Sequence, residues 1–149
     1  MHRPDRNRVV VIGLSLVAAL AACGSTTTSV DVSLREFSVA PSVATAPAGT
    51  VSFEVTNDGP NDIHEFVVIR TDLAVDALPT DDDGAVLEDG EGMEVIDEIE
   101  DLAVGSSETL MLDLEPGTYV LICNIVEEED GTTEAHYAMG MRAAFTVED

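Results

Sequence analysis

Four side chains in this sequence have the types and spacing to hold one redox-active metal ion. Cys123, His136 and Met141 follow one another in the stretch CNIVEEEDGTTEAHYAMGM (residues 123–141), with twelve residues between the cysteine and the histidine and four between the histidine and the methionine. His64 supplies a second imidazole from far upstream. A thiolate and two neutral imidazoles in a near-trigonal plane, with a weakly bound thioether on the axis, are tolerable to both Cu(I) and Cu(II). The chemistry open to this set is therefore one-electron transfer at a single copper ion.

The elements that must position these residues read as strands. Val30, Val32 and Leu34 alternate with Asp31, Ser33 and Arg35, and Phe37 and Val39 resume on the opposite parity, which predicts a bulge or bend near Glu36. Pro41 and Pro47 confine the next segment to an edge, and Val51, Phe53 and Val55 mark a half-buried strand. Turn formers at 57–62 lead into 63–69, which is apolar on both faces and reads as a central strand with His64 at its loop end. Residues 71–92 read as a solvated acidic loop with room for a short helix. Aligning Gly84 of Asp81-Asp82-Asp83-Gly84 with the EF-hand glycine puts Pro79 and Gly90 at ligand positions, so the EF-hand match fails and a solvated loop is favoured over a metal site.

For 93–104 the periodicity admits helix and strand alike. Leu110, Leu112 and Leu114 share one face, and Glu115-Pro116-Gly117-Thr118 is a turn that predicts a hairpin to 119–123. Met141, Ala143, Phe145 and Val147 begin and line a last strand. The total is about seven or eight strands, an all-β, Greek-key antiparallel β-sandwich. Cys123 ends one strand and Met141 starts the next, so the loop between them would carry all three residues to one pole, where His64 meets them.

Residues 1–22 read as an export segment, with His2, Arg3, Arg6 and Arg8 ahead of an apolar run too short for a comfortable membrane span. It ends in Leu20-Ala21-Ala22-Cys23, which resembles the bacterial lipobox, so Cys23 is the expected lipidation site. Residues 23–29 form a small polar tether and 30–149 one domain. The expected location is outside the cytoplasm, lipid-anchored to a membrane and facing the periplasm or cell exterior. Cys123 is then the lone thiol, and a buried metal thiolate suits an oxidising compartment better than a free cysteine. Were Cys23 not acylated, a disulfide between it and Cys123 would compete.

The net charge of −24, with Arg35, Arg70 and Arg142 the only cations beyond the export segment, repels phosphates and argues against nucleic acid as a partner. With only His64 and His136 left after residue 22, further copper centres lack ligands, and the Gly-rich signatures of serine hydrolases and P-loop enzymes are missing.

Three stretches resemble the cupredoxin family, in particular plastocyanin-like and sulfocyanin-like blue-copper proteins: NDGPNDIHEFVVI (57–69), PGTYVLICN (116–124) and HYAMGM (136–141). The resemblance implies His64, Cys123 and His136 as equatorial ligands and Met141 as the axial one, with Met139 an alternative. Two features depart from the family pattern. An acidic insertion at 127–135 replaces a short Pro-Gly turn before the second histidine, and Glu65 stands where many relatives carry a bracing asparagine, so that bracing must differ or come from Asn57 or Asn124.

The resemblance implies an electron carrier and not an enzyme, monomeric, with one type 1 copper and with His136, Tyr137, Ala138 and Met139 as electron port and docking patch. The acidic surface suits a redox partner with basic surface or a high-salt habitat, and both readings stay open at the level of sequence. The alternatives are a copper carrier or storage lipoprotein without a redox partner, and a metal-free β-sandwich interaction module.

Overall fold

The computed structural model describes residues 26–129 and 131–149; the export segment and Cys23 lie outside the described residues. Eleven strands and one helical turn follow in order: β1 (Thr28–Arg35), β2 (Ser38–Pro41), β3 (Thr45–Pro47), β4 (Gly49–Asn57), β5 (His64–Thr71), β6 (Met93–Leu102), β7 (Ser107–Leu114), β8 (Gly117–Ile122), β9 (Val126–Glu129), β10 (Thr132–Ala135), α1 (His136–Met139) and β11 (Arg142–Glu148). One sheet runs β2-β1-β4-β7 and the other β3-β11-β8-β5-β6, with β9 and β10 forming a separate hairpin. The sheets are mixed, because β1 pairs parallel with β4 and β3 parallel with β11.

Alternation puts the core where the sequence places it. Val30, Val32 and Leu34 of β1 and Val51, Phe53 and Val55 of β4 are buried against Phe66, Val68, Leu121 and Phe145 of the facing sheet. Phe53 anchors the contact, its ring centroid 5.4 Å from Phe66 and 5.5 Å from Phe145. β5 is buried on both faces, as its apolar run requires. Its outer residues Val67 and Ile69 lie under Leu78, Val86 and Tyr137.

Four local readings are settled or revised. The bend near Glu36 is a full reversal rather than a bulge, since Arg35 pairs with Ser38 in a two-residue hairpin turn. For 93–104, where helix and strand both stood open, Met93–Leu102 is strand, its irregular spacing absorbed by register shifts against β5. Glu115 to Thr118 makes no hairpin. β7 pairs with β4 and β8 with β11 and β5, so the turn carries the chain from one sheet to the other. The inward leucines of β7 and the inward Tyr119 and Leu121 of β8 thus meet the core from opposite sides. Finally, 71–92 is solvated over most of its length, as expected, but it also straps the second sheet. Leu78 and Val86 are buried, and Tyr137 Oη accepts the Leu78 N–H at 3.1 Å while donating to the Val75 carbonyl at 3.0 Å.

The loop before β5 is held by Asn57, whose fully buried amide donates to the carbonyls of Asp62 and Leu102, both at 2.8 Å, and accepts the Gly59 N–H at 2.8 Å. Asn57→Ala strands these groups, so a loss of about 1–3 kcal/mol in unfolding free energy is expected from urea titration. A change within about 0.5 kcal/mol, the range of ordinary surface substitutions, would show that Asn57 does not brace the loop.

Candidate metal centre

His64 opens β5, Cys123 follows β8, His136 opens α1 and Met141 precedes β11, and all four are fully buried at one pole of the sandwich. Cys123 Sγ lies 3.3 Å from His136 Nδ1 and 3.9 Å from His64 Nδ1, and the two imidazoles meet edge to face at 5.2 Å. Backbone hydrogen bonds close the loop on itself. Cys123 N–H donates to the Met141 carbonyl at 3.1 Å, Met141 N–H to that of His136 at 2.9 Å, and His136 N–H to that of Ile125 at 2.9 Å.

The last of these bonds explains how twelve intervening residues leave His136 beside Cys123. Val126 pairs with Ala135 and Glu129 with Thr132, so the acidic insertion leaves the loop as a hairpin whose two ends are neighbours. Gly140 ends α1 at φ 125°, a conformation that favours glycine, and an added Cβ there would meet the Phe37 carbonyl at 3.2 Å. That turn sends Met141 into the core while Met139 stays exposed.

Burial pushes the Cys123 thiol up to about 12 against the pull of the Glu65 and Ile125 backbone N–H groups, so a cation must displace its proton to bind. Burial and then the neighbouring His136 lower the His64 imidazole below its ordinary value, which favours the neutral form that binds metals. Two buried imidazoles and a buried thiol, their ligand atoms all within 4.8 Å of one another, suit a soft, borderline ion such as copper and fit the type 1 pattern.

Bracing around the centre falls to residues the family pattern does not use. Glu65 Oε1 accepts the Asn124 N–H at 2.7 Å, so the carboxylate spans the loop where an amide was the expectation. Asn124 reaches the strap, accepting the Val86 N–H at 2.6 Å and donating to its carbonyl at 3.0 Å. Burial raises the Glu65 carboxyl to about 7, with Glu98, Glu88 and Glu100 adding to the shift.

Glu98 itself is raised by burial and by Glu88, Glu100 and Asp97. A carboxyl raised on folding leaves stability untouched while both states are protonated, costs stability as pH climbs past its unfolded value, and costs most above its folded value. Glu98→Gln is therefore expected to stabilise the metal-free protein at about pH 8, with the gain vanishing near about pH 4, where unfolded carboxyls protonate. Thermal unfolding at both pH values checks this, and an equal gain at both would contradict it.

One expectation is corrected here. His136 and Tyr137 form no exposed docking patch: both are buried, and only Ala138 and Met139 of α1 face solvent. Glu127 of the hairpin sits on His136 Nε2 at 3.0 Å, and the Phe37 ring lies edge-on at 5.2 Å. Glu36, Phe37 and Glu127 escaped the sequence reading, because nothing in an acidic run or a strand turn marks the one side chain that folds back onto a distant ring. Asp62, Glu127 and His136 form a second compact group on the outer side of that imidazole.

No family model and no curated protein matches the sequence. Solved structures do. A dithionite-reduced auracyanin from the photosynthetic bacterium Roseiflexus castenholzii aligns at 26% identity over 85% of this chain and 100% of its own, with a TM-score of 0.56. Auracyanin B aligns at 22% identity over 82% and 89%, TM-score 0.53. Auracyanin A, described as a "blue" copper protein from the green thermophilic bacterium Chloroflexus aurantiacus, aligns at 14% identity over 83% and 100%, TM-score 0.52. The fold is similar to that of these auracyanins, a cupredoxin-like β-sandwich, and the buried His64, Cys123 and His136 group fits a type 1 copper site.

Proposed function

We propose that this protein is a one-electron carrier working through a single copper held by His64, Cys123 and His136, with Met141 as the axial ligand. The observation that carries this reading is the convergence of two imidazole Nδ1 atoms, at 3.3 and 3.9 Å, on one fully buried thiol. When bound, the copper supplies the Cu(II)/Cu(I) couple, and no bond to a substrate is made or broken. The chain's own part is to fix the donors. Loop hydrogen bonds hold Cys123, His136 and Met141 in one unit, Asn57 holds the approach to His64, and the core excludes water, so little has to move when charge changes.

Export and acylation at Cys23 complete the proposal, with 1–22 removed, 23–27 as tether and 28–149 as a monomeric, membrane-held domain; the tether is two residues shorter than the sequence suggests, because Thr28 and Ser29 already pair with β4. The acidic surface fits a transient redox partner of basic surface, with on-rates that fall as salt rises. The complete burial of His64, Cys123, His136 and Met141 favours retention of the metal over its delivery, which sets electron transfer above storage or carriage.

Voltammetry of the copper-loaded domain, followed by reduction in the presence of a Cu(I) chelator, tests the choice. A reversible one-electron couple with the metal retained is the expected result. Loss of copper to the chelator faster than reoxidation would favour the carrier reading instead.

A further inference from the structure

Both imidazoles of the centre present their outer nitrogen to a carboxylate. Glu127 Oε1 lies 3.0 Å from His136 Nε2, and Glu36 Oε1 lies 3.9 Å from His64 Nε2. The two acids arrive from unrelated places, Glu127 from β9 and Glu36 from the turn between β1 and β2. Glu36 is held firmly, its Oε1 accepting the N–H groups of Asn61 at 2.9 Å and Asp62 at 2.6 Å, and its side chain is only 9% exposed. Among the described residues, just two buried side-chain nitrogen or oxygen atoms lack a hydrogen-bond partner: Glu36 Oε2 and His64 Nε2. They belong to the same facing pair. Leaving both unmet costs stability.

A carboxylate accepts hydrogen bonds and cannot donate them, so the imidazole nitrogen that faces it carries the ring proton. The opposite nitrogen is then bare, and in both rings it is Nδ1 that faces Cys123 Sγ. We propose that Glu36 and Glu127 are positioning residues of the centre: Glu127 holds His136 by its Nε2–H, Glu36 faces that of His64 across 3.9 Å, and each sets its ring's tautomer so that the Nδ1 lone pair is left for the metal position, and contributes negative charge that favours Cu(II) over Cu(I). This rests on the copper reading above. A charged acceptor strengthens the hydrogen bond and makes the ring a better donor, so the pair lowers the reduction potential relative to a centre whose histidines face water or a neutral acceptor.

Nitrogen NMR of the metal-free protein with labelled imidazoles reads the tautomers, and voltammetry of the copper-loaded protein reads the potential. In the wild type both rings are expected as Nε2–H. Glu127→Ala should release His136 into a mixture of tautomers, weaken Cu(II) binding about 10–100-fold, and raise the potential. The rise is about 59 mV for each tenfold loss of Cu(II) affinity relative to Cu(I). Glu127→Gln keeps an oxygen acceptor, so it should restore the tautomer while retaining part of the rise in potential, and Glu36→Gln should act likewise at His64. Wild-type rings protonated on Nδ1, or potentials unmoved in all three variants, would overturn the proposal. A wild type that takes up no copper would instead contradict the proposed function, and the tautomers would still decide the role of the two carboxylates.

Discussion

Cys123→Ser is expected to abolish the intense visible absorption of the copper-loaded protein while leaving the fold in place. That absorption requires a thiolate bonded to Cu(II), and no other cysteine of the described residues can supply one. Serine is close in size, and its hydroxyl can donate to His136 Nδ1, the nitrogen 3.3 Å from Sγ in the wild type. The cost to the metal-free protein should therefore stay near about 1 kcal/mol. Copper affinity should fall by more than the about 10–100-fold that loss of an outer partner costs, since a direct donor is gone. Visible spectra, copper competition and urea unfolding separate the three effects. A blue Cys123→Ser protein would remove the thiolate from the account.

Phe53→Ala should cost about 3–5 kcal/mol, the range for deleting a buried phenylalanine ring. Phe53 is fully buried in β4 and touches aromatics from two strands of the opposite sheet, Phe66 of β5 and Phe145 of β11. Both of those strands lead to the metal centre, β5 beginning at His64 and β11 following Met141. A domain of this size has about 5–15 kcal/mol in hand, so the variant should be marginal at room temperature, and copper should rescue it by binding only the folded state. A midpoint shift equivalent to less than about 1 kcal/mol would mean that the core collapses around the gap.

The convergence at the pole was legible because residue chemistry and strand alternation pointed the same way. Cys123 and Met141 flank a loop, His64 follows a dense turn, and Val51, Phe53 and Val55 leave no doubt about which face of β4 is inward. What alternation leaves open is which sheet a strand joins. Leu110 to Leu114 and Tyr119 to Leu121 show the same inward pattern whether the Pro116-Gly117 turn doubles the chain back or carries it across, and the structure carries it across.

The acidic insertion misled for a related reason. Val126, with Glu127 to Glu129, and Thr132 to Ala135 carry too little apolar contrast to announce a hairpin, yet their pairing brings Ile125 and His136 within a 2.9 Å hydrogen bond. The strap was hidden by its aspartates, since Leu78 and Val86 lie in short apolar patches with no strand or helix period, and their burial depends on Tyr137 and the outer face of β5. Carboxylates acting on distant rings, Glu127 on His136 and Glu36 facing His64, leave no periodic trace at all.

The most direct measurement is a Cu(II) titration of the metal-free domain followed by visible and electron-paramagnetic spectra. The account predicts saturation at one copper per chain, with an intense thiolate-to-copper band and the narrow copper hyperfine splitting of a type 1 site. Uptake of one Cu(II) with no such band, or no uptake at all, would contradict it.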